Sequence, residues 1–151
     1  MATTLKIGDK APAFTGINEK EETVKLADFK GKKLVLYFYP HDNTPTCTEE
    51  ACNLRDNYHS FLAKGYSILG VSEDSVKKHQ NFIKKHELPF SLLADTDHVI
   101  HNQFGVWGEK TMYGKKYMGT IRTTFIIDEK GKIEDIIEKV EAKNHSTQIL
   151  G

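Results

Sequence analysis

Two nearly continuous apolar runs, Leu34 to Tyr39 and Tyr66 to Ser72, constrain the fold of this chain more than any other feature. Such runs are the pattern of strands covered on both faces of a sheet. Between them the sequence predicts a helix from about Thr46 to a C-cap at Gly65. Strand, helix and strand in succession imply a right-handed crossover and a parallel pair.

The rest of the chain extends this unit. Asp74 or Ser75 can cap a helix running to about His86, with Val76, His79, Phe82 and Ile83 on one face. Pro89 ends it, and Phe90 to Ala94 reads as a short strand. Asp95-Thr96-Asp97 reads as a turn and cap before a short helix holding His98, Ile100 and Phe104. Residues 105 to 120, rich in glycine, tyrosine and lysine, read as an irregular excursion. Asp128-Glu129-Lys130-Gly131 is a hairpin signal between strands at Thr123–Asp128 and Lys132–Val140. Asn144 or Ser146 can cap a brief last helix. Ahead of the first apolar run, Phe14 to Ile17 and Glu22 to Lys25 form a predicted hairpin, and Asp28 to Gly31 a helical turn. A parallel unit first and an antiparallel hairpin last give an α/β sheet with helices on both faces. Thioredoxin-like and flavodoxin-like arrangements both satisfy that order.

At 151 residues the chain fits one domain with a proper core. Its 21 basic and 21 acidic residues balance, so nothing steers it toward nucleic acid or an anionic membrane. No run reaches the length of a membrane span, and Met1 to Lys6 lacks the apolar segment of a signal peptide. The expectation is a soluble cytoplasmic protein, where reducing conditions keep thiols free and two cysteines are chemical rather than structural.

Both cysteines, Cys47 and Cys52, follow the first apolar run. Thr44 and Pro45 read as an N-cap with proline at the first helical position, and Thr46 with Glu49 offers an overlapping capping box. Either start puts Cys47 in the first helical turn, beside unpaired amides and the positive end of the helix dipole, which favours the reactive thiolate. The competing reading is a buried cysteine on an apolar helix face with Ala51, Leu54, Tyr58, Phe61 and Leu62. In an intact helix, residues five apart have Cα atoms about 8.6 Å apart, and a disulfide tolerates no more than roughly 7 Å. A Cys47–Cys52 bond therefore requires the helix start to unwind. That suits a transient redox bond and not a permanent one. The spacing also differs from the C-x-x-C of dithiol oxidoreductases and zinc sites.

The run Pro40-x-x-x-Thr44-x-x-Cys47 resembles the peroxiredoxin active-site signature, and Cys52 five residues on is similar to the bacterioferritin-comigratory, or PrxQ, branch. The resemblance continues in Gly8-Asp9-x-Ala11-Pro12-x-Phe14, in Gly105-Val106-Trp107-Gly108-Glu109-Lys110, in Tyr113-Gly114-Lys115 and in Arg122-x-Thr124-Phe125-x-Ile127-Asp128. It implies a thioredoxin-like fold of peroxiredoxin type: a mixed central sheet flanked by helices, with an N-terminal β-hairpin extension.

The resemblance implies a thiol-dependent peroxidase without metal or organic cofactor. Cys47 would attack a hydroperoxide and become a sulfenic acid, and Cys52 would condense with it to a disulfide. Thr44 would bond the sulfur or the peroxide, Pro40 would shield the pocket from water, and Arg122 would supply fixed donors. Thioredoxin, or glutaredoxin, would return the disulfide to thiols, and the branch suggests a monomer. A general thiol–disulfide exchanger and a redox-sensing protein are the competing classes. Glu50 reads equally as a pocket acid or as a surface carboxylate near the helix dipole. His41 could serve as a base, although the family often carries lysine there. His98 and His101 make an H-x-x-H pair without a third ligand, better read as surface histidines. Asp95-x-Asp97 lacks the rest of a calcium loop. Trp107 and Tyr113 are expected to pack the excursion.

Overall fold

In the computed structural model, which describes residues 3–151, the chain starts with an antiparallel hairpin of β1 (Thr15–Ile17) and β2 (Thr23–Lys25). A 3-10 turn at Leu26–Phe29 leads through Gly31 to β3 (Lys33–Phe38). Then come α1 (Pro45–Asp56), α2 (Tyr58–Ala63), β4 (Tyr66–Ser72), α3 (Val76–His86), β5 (Ser91–Ala94) and α4 (Val99–Gln103). The remainder is β6 (Trp107–Met112), β7 (Lys115–Thr120), β8 (Thr123–Ile127), β9 (Ile133–Ile137) and α5 (His145–Leu150). Met1 and Ala2, at the head of the stretch read for a signal peptide, lie outside the described residues.

Five strands form one mixed sheet in the order β5-β4-β3-β8-β9. β3 pairs parallel with β4, and β4 with β5, as the βαβ reading requires. On its other side β3 pairs antiparallel with β8, which pairs antiparallel with β9. This is the expected thioredoxin-like order. Every residue from Leu34 to Tyr39 is buried, because β3 is central and both its faces are covered. Successive side chains point to opposite faces. Leu34, Leu36 and Phe38 therefore join a core with Phe14, Ile100, Phe104 and Phe125. Val35, Tyr37 and Tyr39 join a second core with Cys47, Ala51, Leu54, Phe61, Phe82 and Leu92. Fully burying a side chain such as Leu54 or Phe61 contributes about 1.5–3 kcal/mol, which seats α1 and α2 on the sheet.

Three expectations are corrected. The helix predicted from Thr46 to Gly65 breaks at Asn57. There the Asn57 side-chain amide donates to the Asn53 carbonyl at 2.9 Å, and the Asn57 backbone N–H turns to Leu54. An asparagine that bonds its neighbouring backbone competes with helix continuation in this way. Residues 105 to 120 are not irregular either. β6 and β7 form a two-stranded antiparallel arm closed by Tyr113-Gly114. Both turn residues have positive φ, 52° and 78°, as the two-residue hairpin turn matching strand twist demands. Tyr113 is 97% exposed at the tip and packs nothing, whereas Trp107 stacks on His98.

Candidate active site

Pro40 follows the last buried residue of the β3 run and stands half-buried at the start of the loop to α1. That loop is anchored from below. Tyr39 donates its hydroxyl to Asp42 Oδ1 at 2.6 Å, and His79 Nδ1 lies 2.7 Å from Asp42 Oδ2. The Asp42 backbone N–H donates to Asp74 Oδ2 at 2.7 Å, which also accepts from the Ser72 hydroxyl. His79 Nε2 faces the Leu93 carbonyl at 2.9 Å. Asp42, Asp74 and His79 bring possible metal-ligand atoms within 4.8 Å of one another. Their polar atoms are instead engaged by these partners, so the group is a hydrogen-bonded cluster that fixes the loop to β4, α3 and β5. None of this was legible in the sequence, where His79 looked only like one residue of an apolar face.

Thr44 takes the extended backbone of an N-cap and Pro45 the first helical position, as read. The Thr44 side chain does not cap. Its hydroxyl donates to the His41 carbonyl at 3.0 Å, within the loop. The capping box at Thr46 and Glu49 is not formed, because the helix has already begun at Pro45. The first-turn amides of α1 are thus left without a side-chain cap, and Cys47 is the third residue of that turn, 1% exposed.

Arg122, in the link between β7 and β8, reaches across the sheet end to this turn. Its Nη2 donates to Cys47 Sγ at 3.0 Å and its Nη1 to Glu50 Oε1 at 2.6 Å. One planar guanidinium therefore holds the sulfur and the carboxylate in a fixed relation. Being desolvated disfavours the Arg122 charge, but Glu50 and Cys47 outweigh that, and its pKa is raised.

Glu50 is fully buried, which corrects the surface-carboxylate reading. Burial raises its pKa to about 7 against the lowering pull of Arg122. Its second oxygen, Oε2, faces His145 Nε2 of α5 at 3.4 Å. His145 is also fully buried, and burial with the nearby Arg122 charge lowers its pKa against the raising effect of Gln148. Beneath the site, the Tyr37 hydroxyl is buried without a protein partner, and burial followed by Glu50 pushes its pKa well up. Lys110 of β6 lies near enough that Arg122, after burial, lowers its pKa.

Cys52 lies about one and a half turns beyond Cys47 on α1, half-buried, with Sγ 3.9 Å from His86 Nδ1. Both thiols are free and α1 is continuous through both positions, so they sit in the separated arrangement expected of an intact helix. His41 stands at the exposed side of the loop, 3.6 Å from Asp74 and 3.8 Å from Glu73. The H-x-x-H pair is not a surface pair. His101 is fully buried between Asp95, at 2.6 Å, and the Thr120 hydroxyl, at 2.9 Å, and only His98 reaches solvent. Asp95 also accepts the Ile100 and His101 amides and so caps α4 from a distance.

A family model described as "AhpC/TSA family" matches residues 7–136. The chain is 48% identical over 147 residues to "Peroxiredoxin Bcp" of Bacillus subtilis, covering 97% of this chain and 94% of that one. It is 44% identical over 146 residues to "Peroxiredoxin Bcp" of Escherichia coli, again covering 97% and 94%. Among solved structures it is similar to a PrxQ variant of Xylella fastidiosa, with a TM-score of 0.92 at 32% identity over 99% of this chain and 95% of that one. It is also similar to a Xanthomonas campestris bacterioferritin comigratory protein studied for alkyl peroxide reduction, with a TM-score of 0.87 at 34% identity over 98% and 94%. With a cysteine at a helix start held by a guanidinium, and these matches along nearly its whole length, the chain belongs to the AhpC/TSA family, among the peroxiredoxins of the Bcp and PrxQ type.

Proposed function

We propose that the chain, acting as a single domain, is a thiol-dependent peroxidase in which Cys47 reduces hydrogen peroxide and organic hydroperoxides. The observation that carries this is the Arg122 fork, which holds Cys47 Sγ at 3.0 Å and Glu50 at 2.6 Å. The Cys47 thiolate attacks one peroxide oxygen. The S–O bond forms as the O–O bond breaks, and the departing oxyanion takes a proton to leave as water or alcohol. Charge grows on that oxygen during the step. Arg122 and the uncapped amides of α1 are the donors placed to meet it. Thr44 serves as a further donor to substrate once its hydroxyl leaves the His41 carbonyl, and Pro40 covers the loop side of the pocket.

The Cys52 thiol then attacks Cys47 sulfur, forming the S–S bond and expelling the sulfenic oxygen as water. That step requires the start of α1 to unwind. Thioredoxin, with glutaredoxin as a lesser donor, supplies two electrons and two protons to restore both thiols. On this reading the chain acts on peroxide as a cytoplasmic monomer, and the Bcp relatives, named peroxiredoxins, support the peroxide substrate. Mass spectrometry after one equivalent of hydrogen peroxide tests the reading. Wild type is expected to lose two hydrogens, and Cys52→Ser to give a trappable sulfenic acid. Unchanged peroxide consumption by Cys47→Ser would overturn it.

A further inference from the structure

The segment of α1 that must open for resolution is held by the C-terminal segment on its outer side. Asn53, one residue past Cys52, is bonded to residues 143–146 three times. Its side-chain amide donates to the Lys143 carbonyl at 2.8 Å, and its Oδ1 accepts the Ser146 N–H at 2.7 Å. Its own carbonyl accepts the Ser146 hydroxyl at 3.1 Å. Glu50, midway between the cysteines, faces His145 at 3.4 Å, and Glu49 faces Lys143 at 3.9 Å. Ile149 and Leu150 pack against the same core as Cys47, Ala51 and Leu54. Glu49, Glu50 and Asn53 are therefore tied to one short stretch, residues 143–146.

We propose that Asn53 is a positioning residue of the resolving step, clasping α1 to residues 143–146 and so setting how readily the helix between Cys47 and Cys52 opens. The proposal rests on the two-cysteine reading above. With the clasp shut, Cys47 keeps Arg122 and Glu50 and reacts with hydroperoxide. With it open, Cys47 and Cys52 can meet. The clasp thereby divides the sulfenic acid between two fates. Condensation with Cys52 gives the disulfide and water. Attack on a second hydroperoxide gives the sulfinic acid and water or alcohol, the hydroperoxide being the oxidant.

Asn53→Ala removes the two side-chain bonds to residues 143–146. Alanine is the better helix former, so added opening can only come from the lost clasp. Losing two such bonds, less the gain in helix propensity, is expected to raise the open fraction of α1 about tenfold. Two measurements on the full chain read this out. Amide exchange should accelerate within residues 45–56 and 142–150 while β3 and β8 keep their protection. After a pulse of excess hydrogen peroxide, the ratio of Cys47 sulfinic acid to disulfide should fall by up to about tenfold. Ser146→Ala, which loses only one bond, should shift both in the same direction by a smaller factor. Exchange that accelerates equally across the sheet, or an unchanged product ratio in both variants, would overturn the clasp alone. Wild type that forms no Cys47–Cys52 disulfide would overturn the two-cysteine reading and the clasp with it.

Discussion

Glu50 Oε2 and His145 Nε2 face each other at 3.4 Å with both side chains fully buried. The Gln148 side-chain amide donates to the Lys139 carbonyl, so its oxygen faces His145 Nδ1, at 2.8 Å, and that nitrogen must carry a proton. Neutral His145 then presents a lone pair at Nε2, toward the Thr124 hydroxyl at 2.8 Å and toward Glu50. Protonated Glu50 fits this surrounding better than ionised Glu50, in line with its pKa of about 7.

A pH dependence of stability follows. The folded chain holds the Glu50 proton more tightly than the unfolded chain, where the ordinary value of 4.5 applies. The associated stability is complete below pH 4.5 and is lost as pH rises to about 7. The loss amounts to about 3 kcal/mol at most. Glu50→Gln should flatten this part of the curve, as urea unfolding at stepped pH would show.

Arg122→Ala should lower kcat/KM for hydrogen peroxide about 10²- to 10³-fold, the usual effect of losing a donor to developing negative charge. Arg122→Lys should recover only part of it, since an ammonium cannot hold Cys47 Sγ and Glu50 Oε1 with one planar fork. Stopped-flow peroxide consumption separates the two variants. In Arg122→Ala the Glu50 pKa should rise further, because the partner that lowers it is gone.

Asp42→Ala should be costly because it strips His79 Nδ1 and the Tyr39 hydroxyl of their shared buried partner, while the backbone N–H of residue 42 keeps its bond to Asp74. Each buried donor left without its partner costs about 1–3 kcal/mol, so the two together cost about 4 kcal/mol. For a chain of this size that is a Tm drop of about 10 °C. Cys47 should also react more slowly with peroxide, because the loop leading into α1 has lost its side-chain ties to α3 and to Tyr39.

Gly70→Ala tests the packing beneath the site. A Cβ at this position in β4 would lie 2.6 Å from Leu92 Cδ2 and 2.9 Å from Tyr37 Cζ. Tyr37 is stacked on Tyr39 and meets Phe90 edge-on, so it has no easy retreat. Overpacking of this kind costs about 1–3 kcal/mol, measurable by thermal unfolding.

The backbone was more legible than the site. Nearly continuous apolar runs marked β3 and β4, Ser75 marked the start of α3 by accepting the Lys78 amide, and Asp128 to Gly131 marked the turn before β9. Those signals are local, and so is the proline that begins α1. Glu50 and His101 could not be placed by local signals. Each looks hydrophilic in its own helix and is buried only because distant residues, Arg122 for one and Thr120 for the other, arrive to satisfy it. The β6–β7 arm was missed for the opposite reason. Its residues are largely exposed, so no apolar rhythm announces it, and the left-handed Tyr113-Gly114 pair was its one signal.

The sheet order has a consequence for a chain still being synthesised. Cys47 emerges seventy-five residues before Arg122, and β3 acquires its antiparallel neighbour only when residues 123–127 are available. Until then the Cys47 sulfur lacks the guanidinium contact it has in the finished fold. If the peroxidase reading holds, a growing polypeptide should react with peroxide at Cys47 only once residues from the far side of the fold have arrived.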